Sequence, residues 1–104
     1  MSEAPITILL IEDEPALRAA LADALEGEGF AVVQAADGAA GLAAFRAGPP
    51  DLVLLDLMLP QMGGIDVCRS IRSGSRVPII MVTAKASEAD RRREERNALP
   101  DQRD

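Results

Sequence analysis

Several residue types are missing or rare in this sequence of 104 residues. It contains no histidine, tryptophan or tyrosine, only two phenylalanines and a single cysteine, Cys68. One cysteine cannot build a disulfide framework, and without histidine a zinc site is not expected. Aromatic residues make up 2% of the chain, which argues against a stacking platform for single-stranded nucleic acid.

Positive charge and long apolar runs are also scarce. The chain has 11 Lys and Arg against 17 Asp and Glu, a net charge of −6. This balance argues against a general DNA-binding surface and suits a protein whose carboxylates hold a cation. No run of about 18 apolar residues is present, so no membrane span is expected. Residues 1–5 lack the basic start of a signal peptide, and we expect a single cytoplasmic domain.

Short apolar segments alternate with segments of helical periodicity. Strands are predicted over 6–11, 30–35, 51–56 and 78–83, and helices over 15–27, 39–47, 65–73 and from about 87. This alternation with short connections predicts an α/β fold, in which helices cover both faces of a parallel sheet. In the third helix, Ile65, Cys68 and Ile71 are predicted to face the core.

The third predicted strand, residues 51–56, is an apolar run with an aspartate at each end. Such a run, stopped by proline and glycine, is typical of a strand buried on both faces. Asp56 would lie at the carboxyl end of a central strand, where ligands bind in open α/β sheets. Glu12 and Asp13 follow the first strand, whereas Glu14 is better explained as a helix cap.

If the first and third strands are neighbours, Glu12, Asp13 and Asp56 meet and repel one another, and a divalent cation would remove that cost. Ligation by oxygen atoms alone favours Mg²⁺ or Mn²⁺. A metal beside a strand-end carboxylate can neutralise an incoming phosphoryl group while the carboxylate attacks phosphorus. Thr83, at the end of the fourth strand, could then hydrogen-bond the phosphoryl oxygens, and Gly63–Gly64 would let the loop after Asp56 approach.

Three motifs occur in order at the predicted strand ends: Ile-Glu-Asp-Glu-Pro at 11–15, Asp-Leu-Val-Leu-Leu-Asp-Leu-Met-Leu-Pro-Gln-Met-Gly-Gly at 51–64 and Pro-Ile-Ile-Met-Val-Thr-Ala at 78–84. From residue 6 to about 90, the chain resembles the receiver domain of bacterial two-component response regulators, most closely receivers fused to a winged-helix DNA-binding domain. The resemblance implies a doubly wound, flavodoxin-like sheet with strand order 2-1-3-4.

The resemblance also implies individual roles at a magnesium site. Asp56 is the phosphoacceptor and a metal ligand. Asp13 ligates Mg²⁺ directly, Glu12 does so directly or through water, and Met58 supplies a backbone carbonyl. Manganese could replace magnesium.

Further implied roles concern the phosphoryl group and the partners. Thr83 is the switch hydroxyl, and Ala84 leaves room for the phosphoryl group. The phosphate donor is a sensor histidine kinase, and a dimer of two receivers is a candidate assembly. The domain is not an enzyme in the usual sense, and no direct contact with nucleic acid or membrane is expected.

The sequence departs from the family pattern near residue 90. The Gly-Ala-Asp-rich turn, the fifth strand ending in Lys-Pro and the fifth helix are not recognisable, and the last lysine is Lys85. Residues 1–90 are therefore interpreted as an incomplete receiver, and residues 91–104 as a charged tail, helical or disordered. The fourth strand is expected to be an exposed apolar edge. Lys85 is a candidate substitute for the missing lysine.

Three other functions compete with the phosphoacceptor. The chain could be a truncated receiver that cannot switch, acting only through protein contacts or without function. A phosphatase with an aspartate nucleophile would need a second acid two residues after Asp56, where Met58 stands. A flavodoxin relative would need a hydroxyl- and glycine-rich loop after the first strand, where the acids of 12–14 would repel phosphate.

Overall fold

The computed structural model describes residues 4–57, 59 and 62–82. Seven elements alternate along the described part of the chain: β1 (Thr7–Ile11), α1 (Pro15–Gly27), β2 (Ala31–Ala35), α2 (Gly38–Ala47), β3 (Leu52–Asp56), α3 (Gly64–Arg72) and β4 (Ile79–Val82). Each begins and ends within one residue of its predicted bounds. The predicted fourth helix, the tail at 91–104 and the predicted lack of a fifth strand concern residues outside this part.

The four strands form one parallel sheet in the order β2-β1-β3-β4, which confirms the predicted topology. β1 and β3 lie side by side, with Ile8 opposite Leu52 and Ile11 opposite Leu55. Because the strands are parallel and in this register, the residues that follow Ile11 emerge beside Asp56. The sheet therefore brings the two acidic segments to one edge.

The main core lies between the sheet and the two helices α2 and α3. Successive side chains of a strand point to opposite faces, so Leu9 and Ile11 of β1 share a face with Val53 and Leu55 of β3. All four are at most 1% exposed. Gly41 lets α2 pack closely on this face, because a Cβ atom there would overlap the Ile11 side chain.

Both of the first two helices begin at a carboxylate cap. The Glu14 side chain accepts hydrogen bonds from the backbone N–H groups of Ala16 and Leu17, at 3.2 and 3.4 Å. The Asp37 side chain accepts one from Ala40 N–H at 2.8 Å. These contacts satisfy N–H groups that have no partner within the helix. The interpretation of Glu14 as a cap is confirmed.

The predicted inner face of α3 is partly wrong. Ile71 is 2% exposed and Cys68 packs against the core, as predicted, but Ile65 is 51% exposed. The buried positions are Gly64, Val67 and Ile71. Ile65 precedes Val67 by two residues, which places it about 200° around the helix and towards solvent. The competing i, i+3, i+7 pattern begins at a glycine, which carries no hydrophobic signal.

β4 pairs with β3 on one side, and its other side has no strand partner among the residues that the structure describes. Ile80, Met81 and Val82 are 48%, 36% and 40% exposed. These values agree with the expected apolar edge. No helix in the described ranges is both long enough and apolar enough to cross a membrane.

Candidate metal centre

Three carboxylates converge where β1 and β3 end. Glu12 and Asp13 come directly after β1, and Asp56 is the last residue of β3. One oxygen from each of these side chains lies within 4.8 Å of the oxygens of the other two. The convergence that the sequence predicted is therefore present, although Asp56 lies more than 40 positions after Glu12 and Asp13 in the chain.

The Glu12 side chain is buried and its surroundings fix it in place. It is 2% exposed, and its backbone N–H donates to the Ala35 carbonyl at 3.0 Å, extending the ladder between β1 and β2. The Glu14 backbone N–H donates to Glu12 Oε2 at 3.0 Å. The Glu12 carbonyl accepts a hydrogen bond from Arg18 Nη1 at 2.8 Å. Backbone and side chain of this residue are thus held by three separate groups.

Asp56 is held by the backbone that follows it. It is 1% exposed, and the next residue, Leu57, donates its N–H to the Val82 carbonyl at 2.7 Å, which continues the ladder between β3 and β4. The Leu57 carbonyl accepts from Gly64 N–H at 3.3 Å. Leu57 is therefore tied both to β4 and to the start of α3.

The first residue of α3 must be glycine for this contact to form. A Cβ atom on Gly64 would lie 2.7 Å from the Asp56 carbonyl oxygen and 2.8 Å from Leu57 Cα, which are backbone atoms that cannot rotate away. A Cβ atom on Gly63 would meet nothing within 4 Å. The sequence pattern does not distinguish the two glycines. In the structure, it is Gly64 whose backbone lies close to that of Asp56.

Carboxylates this close to one another repel. At 4.8 Å and an effective dielectric constant of about 20, the Glu12–Asp56 repulsion costs about 3 kcal/mol. A divalent cation would reverse this cost. Carboxylate oxygens that all lie within 4.8 Å of one another are close enough for side-chain rotation to bring them onto one small cation. The donor set consists of carboxylate oxygens alone, and Asp13 is half-buried. Such a set fits Mg²⁺ or Mn²⁺.

A cleft of about 240 Å³ adjoins Glu12 and Asp56 on the side of the sheet that α1 covers. The rest of its lining is apolar: Leu10, Ile11, Leu17, Leu21, Leu54 and Val82. The Glu12 and Asp56 side chains themselves are 2% and 1% exposed, so little of either carboxylate faces water. Interactions of these acids with a cation are therefore stronger than they would be in water.

Four predicted site residues lie outside the described residues: Met58, Thr83, Ala84 and Lys85. The sequence did not single out Arg18, whose guanidinium contacts the Glu12 backbone. Helical side chains lean towards the helix N-terminus, so a long basic side chain in the second turn of α1 can reach the preceding loop. That rule shows that Arg18 could reach the loop, but it does not specify which carbonyl the side chain contacts.

Known proteins are similar to this chain in sequence and in fold. A family model described as the response regulator receiver domain matches residues 8–97. The DNA-binding response regulator MtrA of Mycolicibacterium smegmatis is 53% identical over 83 residues, which are 80% of this chain and 36% of MtrA. The sensory transduction protein RegX3 of Mycobacterium bovis is 51% identical over 85 residues, covering 82% of this chain and 37% of RegX3.

A solved receiver structure is also similar in fold. The BeF3-activated N-terminal receiver domain of Klebsiella pneumoniae RstA superposes with a TM-score of 0.72 at 32% identity, covering 80% of this chain and 71% of that chain. The chain spans little more than a third of the length of MtrA and RegX3.

Proposed function

The chain belongs to the family of response regulator receiver domains, and on this premise we propose that it accepts a phosphoryl group on Asp56 in a two-component phosphorelay. Glu12, Asp13 and Asp56 would hold Mg²⁺, or Mn²⁺ in its place. The observation that supports this most directly is the group of three carboxylates within 4.8 Å at the end of the two central strands.

In the proposed reaction an Asp56 carboxylate oxygen attacks the phosphorus of a phosphohistidine on a sensor histidine kinase. A P–O bond forms, the P–N bond breaks, and the released imidazole takes up a proton. The cation, when bound, supplies positive charge that offsets the charge on the phosphoryl oxygens. Glu12 and Asp13 would hold the cation, and the two hydrogen bonds of Leu57 fix the backbone beside the nucleophile.

The resemblance supplies the remaining roles. We propose that the Met58 carbonyl is a further metal ligand, that the Thr83 hydroxyl donates to a phosphoryl oxygen, and that Ala84 leaves room for the phosphoryl group. The chain itself receives the phosphoryl group, so it acts as a signalling domain rather than as an enzyme on a separate substrate. We place it in the cytoplasm.

The signal would be passed on through protein contacts. With a net charge of −6 the chain is a poor surface for DNA. The name of MtrA states DNA binding, but the match covers only 36% of MtrA. We therefore do not assign DNA binding to this chain. The proposed partners are a histidine kinase and a second receiver.

Intact-mass spectrometry after incubation with acetyl phosphate and Mg²⁺ tests the proposal. Wild type should gain one phosphoryl group, and Asp56→Asn should gain none. The matched control is Asp51→Asn, at the other end of the same apolar run, where Asp51 Oδ2 accepts from Thr7 N–H at 2.8 Å and an asparagine oxygen could do the same.

The control should be modified like wild type, and chelation of Mg²⁺ should abolish both adducts. An equal adduct on Asp56→Asn would refute the assignment of Asp56. No adduct on folded wild type would instead favour the competing interpretation, a receiver fragment that acts through protein contacts alone.

A further inference from the structure

We infer that Arg18 is a positioning residue for the metal site: its guanidinium fixes the peptide between Glu12 and Asp13 so that the acidic side chains converge. The inference deepens the proposed function and rests on it for the identity of the ligand. Its structural part, the tether itself, can be tested without metal.

The contact joins the helix to the acidic loop. Arg18 is the fourth residue of α1 and is half-buried. Its Nη1 atom donates to the Glu12 carbonyl at 2.8 Å, across six positions of sequence. A hydrogen bond from a charged donor is stronger than a neutral one. Because the peptide unit is planar, holding the Glu12 carbonyl also sets the direction in which the chain enters Asp13.

Other contacts hold the remaining parts of Glu12. Its N–H is bound to the Ala35 carbonyl, and its carboxylate accepts from the Glu14 N–H. The Arg18 contact acts on the carbonyl, the end of the residue that leads into Asp13. Without it, the sheet would still fix the start of Glu12, but the orientation of the following peptide would depend on the short turn into α1.

Charge and geometry predict opposite effects on metal affinity. A guanidinium close to a divalent cation repels it, so electrostatics alone predicts that loss of Arg18 tightens metal binding. Loss of the tether lets the carboxylates diverge, which weakens binding. The sign of the change therefore distinguishes the two roles.

The first test measures Mn²⁺ affinity by electron paramagnetic resonance. Arg18→Met keeps an apolar stem but has no donor, and we expect about tenfold weaker binding, as is usual when a group that orients metal ligands is lost. Arg18→Lys, which keeps charge and donor, should restore most of the affinity. Arg46→Met removes an exposed arginine from the last turn of α2 and should bind like wild type. Equal or tighter binding by Arg18→Met would overturn the inference.

The second test uses amide hydrogen exchange without metal. Arg18→Met should accelerate exchange at Glu14, whose N–H is bound to the Glu12 carboxylate, far more than at Leu9 within β1. Unchanged exchange at Glu14 would overturn the tether. Accelerated exchange together with wild type that binds no Mn²⁺ would refute the proposed metal function and leave the tether standing.

A second substitution covers the case in which Arg18→Met does not fold. Arg18→Gln is also neutral, and its amide is two bonds too short to reproduce the contact with Glu12. The inference predicts weaker Mn²⁺ binding and faster exchange at Glu14 for this variant as well. Unchanged values for a folded Arg18→Gln protein would contradict it.

Discussion

Replacing Asp56 by asparagine should make the metal-free protein more stable. The Asp56 carboxylate is 1% exposed and lies within 4.8 Å of those of Glu12 and Asp13. At an effective dielectric constant of about 20, the repulsion from buried Glu12 is about 3 kcal/mol, and half-buried Asp13, closer to water, adds about 1 kcal/mol. Asparagine keeps the shape and removes the charge. The two repulsions add to about 4 kcal/mol. An amide accepts hydrogen bonds less strongly than a carboxylate, which offsets part of this total, and we expect a net gain on the order of 2 kcal/mol in the free energy of unfolding.

Magnesium should reverse this order. A ligand that binds only the folded state at 100 times its dissociation constant adds about 2.7 kcal/mol to stability. Wild type should show this gain, whereas Asp56→Asn, which has lost a ligand, should gain much less. Asp56→Asn should therefore be the more stable protein without Mg²⁺ and the less stable protein with it.

Urea unfolding followed by far-ultraviolet circular dichroism measures both effects, since the chain has no tryptophan or tyrosine for fluorescence. With a slope of about 1 kcal/mol per molar, the midpoint of Asp56→Asn in chelator should rise by about 2 M. Asp23→Asn, an exposed position on α1, changes the net charge equally and should move the midpoint little. A less stable Asp56→Asn protein in chelator, or an equal gain from Mg²⁺ in both proteins, would refute the reasoning.

Alanine substitutions at Gly64 and Gly41 should destabilise the protein, because each new Cβ atom would overlap neighbouring atoms. Gly64→Ala should destabilise the fold by about 1–3 kcal/mol and slow phosphorylation, because its Cβ would lie 2.7 Å from the Asp56 carbonyl oxygen; Gly63→Ala, in open space, should change neither. Gly41→Ala should lower the urea midpoint despite its better helix propensity, and Ile11→Val in the same chain should recover part of the loss by removing the methyl group that the new Cβ meets. Equal midpoints for the single and double variants would show that the Ile11 contact is not the cause.

The local sequence was sufficient to predict the elements and the sheet. Short runs of Val, Leu and Ile bounded by glycine and proline predicted each described strand within one residue. The resemblance added the strand order, which no local pattern specifies. Once β1 and β3 are neighbours, the convergence of Glu12 with Asp56 follows from the direction and register of parallel strands.

The sequence pattern fails where tertiary packing determines which residues are buried or in contact. The inner face of α3 begins at Gly64, and a hydrophobic pattern cannot register a residue without a side chain. The pattern therefore favours Ile65, which is exposed in the structure. The difference between Gly63 and Gly64 depends on which of them meets the backbone of Asp56. Arg18 acts on a backbone carbonyl, and such an acceptor is present at every position of a sequence.

The phosphoacceptor role depends on the shared cation, and so does the effect of Arg18 on metal affinity. The most direct measurement is a Mn²⁺ titration of wild type, Asp13→Asn, Asp56→Asn and the control Asp23→Asn, with Mg²⁺ as competitor. We expect one ion per chain in wild type and in the control, displaced by Mg²⁺, and binding weakened at least tenfold in Asp13→Asn and Asp56→Asn. Wild-type protein that is folded and binds no Mn²⁺, or equal affinity in all four proteins, would contradict the account.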